Sequence, residues 1–161
     1  MKSWRRPRRL SSSNVPSEAL LDSNVFLSYL KDDELAEYAE SVVVAVVEGR
    51  LRASASSALY DDVITALRSK DYPLSEAKAA IRGIAAIPHI SLPVTPEIAL
   101  TALELYERHG GSRRLHYFDS FHVATAVLHR LPLITSDKYI VANEGGLGIR
   151  ALDLRKLRLK K

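Results

Sequence analysis

The sequence predicts an α/β fold in which helices cover both faces of a parallel sheet. Short apolar segments alternate with longer segments of helical periodicity, and two of the apolar segments, 18–22 and 131–137, end in an aspartate. Strands that alternate with helices build βαβ units, whose parallel sheets are buried on both faces. The fold class predicted is therefore a helix–sheet–helix sandwich.

The individual elements follow from local patterns. Strands are predicted where short apolar runs are bounded by turn residues or acids, at 18–22, 49–55, 89–94, 131–137 and 148–154. Helices are predicted where apolar residues recur every three or four positions, at 24–30, 33–48, 56–70, 74–87, 95–110 and 118–130. A further short helix is expected after residue 137, and "GGLG" (145–148) is interpreted as a lone turn before the last strand.

Cap residues define several of the predicted helix starts. The helix at 56–70 opens with the cap-type residues Ser56 and Ser57, and Ser75 is the expected N-cap of the helix at 74–87. The helix at 95–110 has a capping Thr95, a proline in its first turn and a terminating glycine.

Charge is distributed unevenly along the 161 residues. Residues 1–13 and 154–161 each carry five basic side chains and no acid, whereas 14–153 carries 13 basic and 19 acidic side chains. We expect a basic disordered tail at 1–17, one domain at 18–154 and a basic tail at 155–161. Basic tails favour polyanions such as RNA, although tails that are merely solvated are an open alternative.

Composition excludes several classes of protein. The chain has no cysteine, which rules out disulfides and thiolate metal sites and suits a cytoplasmic protein. Its longest apolar run, 41–47, is too short to cross a membrane, and the basic N-terminus lacks the apolar stretch of a secretory signal.

Four aspartates are candidates for one shared site. Asp22 and Asp137 follow predicted strands, and ligands of parallel sheets bind beyond the carboxyl ends of the strands. Asp62 and Asp119 lie in predicted helices that lead to the same edge. Each acid alone has another explanation, since Asp22, Asp119 and Asp137 also suit helix starts.

The second acid has two candidates, Asp61 and Asp62, which the predicted helix at 56–70 places in its interior. They differ by about 100° around the helix axis. Because Leu59, Val63 and Leu67 form the buried stripe, Asp62 is expected to face inward and Asp61 to face solvent.

Four converging carboxylates repel one another unless they are protonated or bridged by cations. Hard oxygen ligands favour Mg²⁺ or Mn²⁺ over zinc. Such sites perform phosphoryl chemistry, in which a metal lowers the pKa of an attacking water. The predicted cofactor is therefore Mg²⁺ or Mn²⁺.

Four segments resemble the acidic motifs of PIN-domain ribonucleases, especially the VapC-type toxins of toxin–antitoxin pairs. The segments, in order, are "LLDSNVFLSYL" (20–30), "ASSALYDDVITAL" (55–67), "LHYFDSFHVATAVLH" (115–129) and "PLITSDKYI" (132–140). The resemblance covers about residues 19–152 and implies a central five-stranded parallel sheet.

The resemblance assigns roles residue by residue. It makes Asp22, Asp62, Asp119 and Asp137 the catalytic and metal-binding acids, with Asn24, Thr135, Asp61 and His122 in supporting roles. The family's second acid is usually glutamate, so Asp62 has a shorter reach. His116 and His122 flank Asp119 at three residues on either side, and we expect His122 to pack and hydrogen-bond near the site rather than to bind metal.

The function that the resemblance implies is metal-dependent endoribonuclease activity that leaves a 5′-phosphate and a 3′-hydroxyl. It also implies a homodimer and a cognate antitoxin. Arg113, Arg114 and Lys138 are candidate contacts to RNA phosphates. Three alternatives stay open: a non-catalytic PIN-like module that binds RNA or protein, a PIN nuclease in RNA maturation, and an enzyme acting on small phosphate esters.

Overall fold

The computed structural model describes residues 16–157, which form five strands and eight α-helices followed by a short 3₁₀ turn. The strands are β1 (Glu18–Leu21), β2 (Arg52–Ser56), β3 (Ile90–Leu92), β4 (Leu133–Thr135) and β5 (Ala151–Asp153). The helices are α1 (Ser23–Lys31), α2 (Ala36–Val47), α3 (Leu59–Ser69), α4 (Leu74–Ala86), α5 (Pro96–His109), α6 (Tyr117–His129), α7 (Lys138–Ala142) and α8 (Glu144–Leu147). The 3₁₀ turn spans Leu154–Lys156.

All five strands are parallel, in the order β3-β2-β1-β4-β5. The chain builds the sheet outward from β1 on one side and then returns to add β4 and β5 on the other. The order therefore reverses between β1 and β4, where Leu20 pairs with Leu133. A crevice beyond the carboxyl ends of these two strands is where such sheets bind ligands.

Side chains that alternate along the central strands pack into two separate hydrophobic cores, one on each face of the sheet. Ala19 and Leu21 of β1 pack with α1 to α4, whereas Leu20 packs with α5, α6, α7 and α8 on the opposite face. In β4, Ile134 faces the first core and Leu133 the second. All five of these side chains are fully buried. The predicted three-layer sandwich around a five-stranded parallel sheet is confirmed.

Two of the predicted helix caps are wrong. Helix α3 begins at Leu59 after Ala58, whose side chain cannot cap, while Ser56 instead accepts a hydrogen bond from the backbone N–H of Ala58 at 3.2 Å. Helix α4 begins one residue before Ser75, directly after Pro73. Pro73 holds an extended conformation and sets the direction in which the chain enters α4, so no side-chain cap is required there.

The cap predicted for α5 is confirmed, since Thr95 accepts a hydrogen bond from the backbone N–H of Ile98 at 3.2 Å. The segment after β4 differs from its prediction: two short helices replace one. The turn expected at 145–148 is incorporated into α8, which Gly148 ends with a φ of +74°. That left-handed conformation is one that glycine adopts without steric cost.

The predicted tails fall largely outside the described residues. Of the segment 1–17, only Pro16 and Ser17 are described, and the Ser17 carbonyl accepts a hydrogen bond from the N–H of Arg52. Of the segment 155–161, residues 155–157 are described, and Leu157 is buried. Among residues 16–157, no helix is both long and apolar enough to cross a membrane.

Candidate active site

The candidate site lies at the reversal of strand order between β1 and β4. Asp22 directly follows β1, and its backbone N–H donates to the Ile134 carbonyl at 3.0 Å. Asp137 follows β4 by two residues, and Asp62 and Asp119 approach from the first turns of α3 and α6. The topology thus brings all four predicted acids to one edge of the sheet.

Asp22 is fully buried, and its carboxylate accepts four hydrogen bonds, of which the longest, at 3.4 Å, comes from the Ser23 hydroxyl. Its Oδ1 accepts from the backbone N–H of Ser23 at 2.7 Å, which makes it the N-cap of α1. Its Oδ2 accepts from the Thr135 hydroxyl at 2.6 Å and from the Asn24 amide at 3.1 Å. Asp22 therefore caps α1 and also belongs to the acidic site, because it lies where β1 ends and α1 begins.

Asn24 and Thr135 connect the β1–α1 and β4–α7 junctions. Asn24 Oδ1 accepts from the backbone N–H of Ser136 at 3.1 Å, and Thr135 Oγ1 accepts from the N–H of Asp137 at 3.0 Å. Asp137 in turn caps α7 by accepting from the N–H of Ile140. These bonds fix the spacing between the first and fourth acids.

Of the two candidates for the second acid, Asp62 is the one that faces the site. Helix α3 starts at Leu59, so Asp61 and Asp62 lie in its first turn, and the expectation that they occupy a helix interior is wrong. Asp62 Oδ2 lies 2.9 Å from His122 Nε2, and the Asp62 side chain is 16% exposed, whereas Asp61 is exposed. The direction of Asp62 agrees with its position beside the buried stripe of α3.

His122 lies close to the first two acids, Asp22 and Asp62. It is fully buried on α6, and its Nε2 lies 2.9 Å from Asp62 Oδ2 and 3.9 Å from Asp22 Oδ1. Burial works to lower the pKa of His122, but the hydrogen bond to Asp62 and the charges of nearby acids outweigh it and raise the pKa. The raised pKa favours the protonated, positively charged form of His122 between Asp22 and Asp62.

Asp119 is a largely buried acid with three other acids around it. Burial, followed by the negative charges of Asp22, Asp137 and Asp62, raises the pKa of Asp119 to about 8, although His122 opposes the shift. Burial also raises the pKa of Asp22, partly offset by His122 and by the Thr135 hydroxyl. A carboxyl group in such surroundings ionises readily only when a cation enters the site.

His116 lies beside Asp119, as its spacing in the sequence allowed, and also beside Asp137, which the sequence did not indicate. It is the N-cap of α6, and its Nδ1 lies 3.3 Å from Asp119 Oδ2. One ring nitrogen of His116 and one carboxylate oxygen each of Asp119 and Asp137 lie within 4.8 Å of one another. Two carboxylate oxygens and an imidazole nitrogen at this separation fit a divalent cation.

The predicted RNA-contacting residues are exposed on the surface. Lys138 is exposed at the start of α7, next to Asp137. Arg113 and Arg114 are exposed in the loop before α6, and Arg114 donates to the Arg108 carbonyl at 3.0 Å. Arg155, from the predicted C-terminal tail, donates to the Ser136 carbonyl at 2.8 Å and so supports the loop that carries Asp137.

The fold and its site define a class of domain: parallel α/β sandwiches that gather acidic side chains at the switch point of the sheet. The family model of the PIN domain matches residues 19–144, a span that contains all four aspartates. The chain belongs to the PIN domain family. PIN domains are generally nucleases.

Solved structures with the same fold include subunits of toxin–antitoxin complexes. A toxin–antitoxin complex from Klebsiella pneumoniae has a chain 18% identical to this one, with a TM-score of 0.58 and coverage of 86% of this chain and 99% of that chain. VapBC-5 from Mycobacterium tuberculosis gives 18% identity, a TM-score of 0.55 and the same coverage.

A third structure, VapBC2 from Rickettsia felis bound to a DNA fragment from their promoter, gives 11% identity and a TM-score of 0.61. The match covers 84% of this chain and 98% of that chain. Identities this low establish the fold alone. A comparison with curated proteins gives no match.

Proposed function

We propose that the protein is an endoribonuclease that depends on Mg²⁺ or Mn²⁺ and hydrolyses RNA phosphodiester bonds. The observation that carries the proposal is the convergence of four aspartates at the β1–β4 switch point, where burial and then the charges of the other acids raise the pKa of Asp119 to about 8. Protein folds retain repelling acids at a strand edge when a cation uses them. Membership of the PIN domain family supports the same reaction class.

The residues that would hold the cation are Asp119 and Asp137, with Asp22 behind them. A bound divalent cation would polarise a phosphate oxygen and lower the pKa of a water molecule. The four hydrogen bonds to Asp22 keep that carboxylate fixed, so the site keeps its shape when the charge of its occupant changes. Such preorganisation is what lets charged side chains stabilise a transition state.

Asp62 and His122 form a proton-handling pair at the side of the site. His122 Nε2 donates to Asp62 Oδ2, which orients the carboxylate although the aspartate side chain is shorter than glutamate. A carboxylate held in this way can accept a proton from an attacking water and pass it to solvent, since Asp62 is partly exposed.

RNA would approach over the exposed basic residues at this edge. Arg113, Arg114 and Lys138 present positive charge beside an acidic site that would otherwise repel phosphates. Substitution of Lys138 by Ala should weaken RNA binding uniformly across sequences and lower the salt dependence of the affinity by about one charge. Fluorescence anisotropy at several salt concentrations measures both quantities.

The cleavage assay compares wild type with Asp22→Asn and Asp119→Asn on a pool of RNAs with Mg²⁺, Mn²⁺ or EDTA. Wild type should cleave only with a cation, and each variant should lose at least about a hundredfold in rate. Asp61→Asn is the matched control, because Asp61 is an exposed acid adjacent to Asp62 and should leave the rate unchanged.

Three results would favour other functions. RNA binding without cleavage that persists in every aspartate variant would indicate a non-catalytic binding module. Cleavage of small phosphate esters but not of RNA would indicate a different phosphoryl-transfer enzyme. Site-specific trimming of a precursor RNA would indicate a role in RNA maturation.

We further propose that the protein is the toxin of a toxin–antitoxin pair, acting in the cytoplasm as a homodimer and inhibited by a cognate antitoxin. The support is the likeness of fold to chains in structures described as toxin–antitoxin complexes. Induced expression should arrest growth, and co-expression of a small upstream neighbouring reading frame should restore it and yield a complex. Normal growth under induction, with folded and active protein present, would contradict the toxin role.

A further inference from the structure

His116 occupies a position that neither its helix nor its packing explains. It precedes α6 in an extended conformation (φ −78°, ψ 160°), and its side chain makes no capping hydrogen bond to that helix. The imidazole is 68% exposed, so its location next to Asp119 does not result from burial. The ring nevertheless directs Nδ1 at Asp119 Oδ2, 3.3 Å away.

We propose that His116 is a ligand of the divalent cation, through a ring nitrogen, together with Asp119 and Asp137, and that it makes the site prefer Mn²⁺ over Mg²⁺. The inference rests on the cation site of the proposed function and deepens it. It gives the site a mixed nitrogen and oxygen ligand set in place of the purely carboxylate set that the aspartates alone predict.

The distances suit a shared ion. Ligands at about 2.1 Å from an octahedral ion lie about 3.0 Å apart when they occupy neighbouring positions. The separation of 3.3 Å between His116 Nδ1 and Asp119 Oδ2 is close to that value. All three donor atoms lie within 4.8 Å of one another, so one ion can contact them with small side-chain rotations.

Ligand chemistry explains the expected preference. Mg²⁺ is a hard ion that takes oxygen ligands and releases its waters reluctantly. Mn²⁺ lies at the weak end of the transition-metal series but still accepts imidazole, which Mg²⁺ rarely does. An imidazole beside two carboxylates therefore adds to the affinity for Mn²⁺ and adds little to the affinity for Mg²⁺.

The experiment compares Mn²⁺ binding by wild type and His116→Gln without RNA. Pulsed electron paramagnetic resonance of bound Mn²⁺ should detect a coupled nitrogen nucleus in wild type and none in the variant. The dissociation constant for Mn²⁺ should rise by about tenfold or more. The dissociation constant for Mg²⁺, measured by competition, should change by less than about twofold.

His129→Gln is the matched control, since His129 is an exposed histidine at the opposite end of the same helix. It should keep the nitrogen coupling and the affinity of wild type. Because the His116 side chain is exposed and caps nothing, His116→Gln should retain the wild-type circular dichroism spectrum and melting temperature.

Two outcomes overturn the inference in distinguishable ways. Tight Mn²⁺ binding with no nitrogen coupling in wild type, or with unchanged coupling and affinity in His116→Gln, would remove His116 from the ligand set and leave the proposed nuclease intact. Failure of wild type to bind either ion would reject the cation site itself, and the proposed function with it.

Discussion

Replacing Asp119 by Asn should stabilise the cation-free protein, although it removes a residue that we place in the active site. The carboxyl group is only 14% exposed and lies among Asp22, Asp62 and Asp137, which together with burial raise its pKa to about 8. Asparagine has nearly the same shape and carries no charge. The substitution therefore removes the free-energy cost of keeping this buried carboxyl protonated, or charged, in the folded protein.

The magnitude follows from the difference in proton affinity between the folded and unfolded chains. Unfolded, the Asp119 carboxyl releases its proton near pH 3.8; folded, it retains the proton to about pH 8. Each pH unit above 3.8 lowers the free energy of unfolding of the wild type by about 1.4 kcal/mol, until about pH 8. The loss at pH 7 is therefore at most about 4 kcal/mol.

This figure is an upper limit, because denatured chains retain residual structure that already perturbs their carboxyl groups. We expect a net gain of about 2–3 kcal/mol at pH 7, or roughly 5–10 °C in melting temperature for a domain of this size.

Thermal unfolding in EDTA, followed by circular dichroism from pH 4 to pH 8, measures the effect. The stability advantage of Asp119→Asn should be near zero at pH 4, where the wild-type carboxyl binds its proton to a similar extent in the folded and unfolded states. The advantage should grow as the pH rises toward 8. Saturating Mn²⁺ should reverse the order, since only wild type gains full stabilisation from the ion. A variant that is less stable than wild type in EDTA at pH 7.5, or a difference that does not vary with pH, would refute the reasoning. Asp61→Asn, on the exposed side of α3, should show neither effect.

Two further substitutions test the scaffold of the site. Thr135→Val removes the buried hydroxyl that donates to Asp22, and should lower the free energy of unfolding by about 1–3 kcal/mol in urea titration. Thr125→Val, which removes an equally buried hydroxyl bonded within α6, should cost less than about 1 kcal/mol, and equal losses would argue against a special role for the first. Gly110→Ala should cost about 1–3 kcal/mol in the same titration, because the added methyl would collide with the Tyr106 carbonyl and come within 2.6 Å of its ring. Gly145→Ala meets nothing within 4 Å and should be neutral or slightly stabilising; a loss comparable to that of Gly110→Ala would contradict this explanation.

The parts of the fold that could be predicted are those governed by local pattern. Apolar runs ending in Asp22 and Asp137 predicted two strands, and the rule for parallel sheets predicted that both acids share an edge. The helical stripe of α3 predicted that Asp62 turns inward, which agrees with its contact to His122. Each inference needed only neighbours in sequence and one general rule of topology.

Helix starts and the contact of His116 could not be predicted, because tertiary structure decides them. Ser75 is a good cap by composition, but Pro73 already directs the chain into α4. His116 has the spacing of a residue on the same helical face as Asp119, yet it lies before the helix in an extended conformation. Its approach to Asp137 depends on how α6 packs against the β4 edge, which no local pattern encodes.

The central claim is that a divalent cation in the four-aspartate site drives RNA cleavage. The most direct test is a single titration of the cation-free protein with Mn²⁺ in which site occupancy and the initial rate of RNA cleavage are measured in the same sample. We predict no cleavage in EDTA, a rate that rises in proportion to occupancy, and products with 5′-phosphate and 3′-hydroxyl ends. Cleavage that is unchanged in EDTA, or full occupancy without cleavage, would contradict the claim.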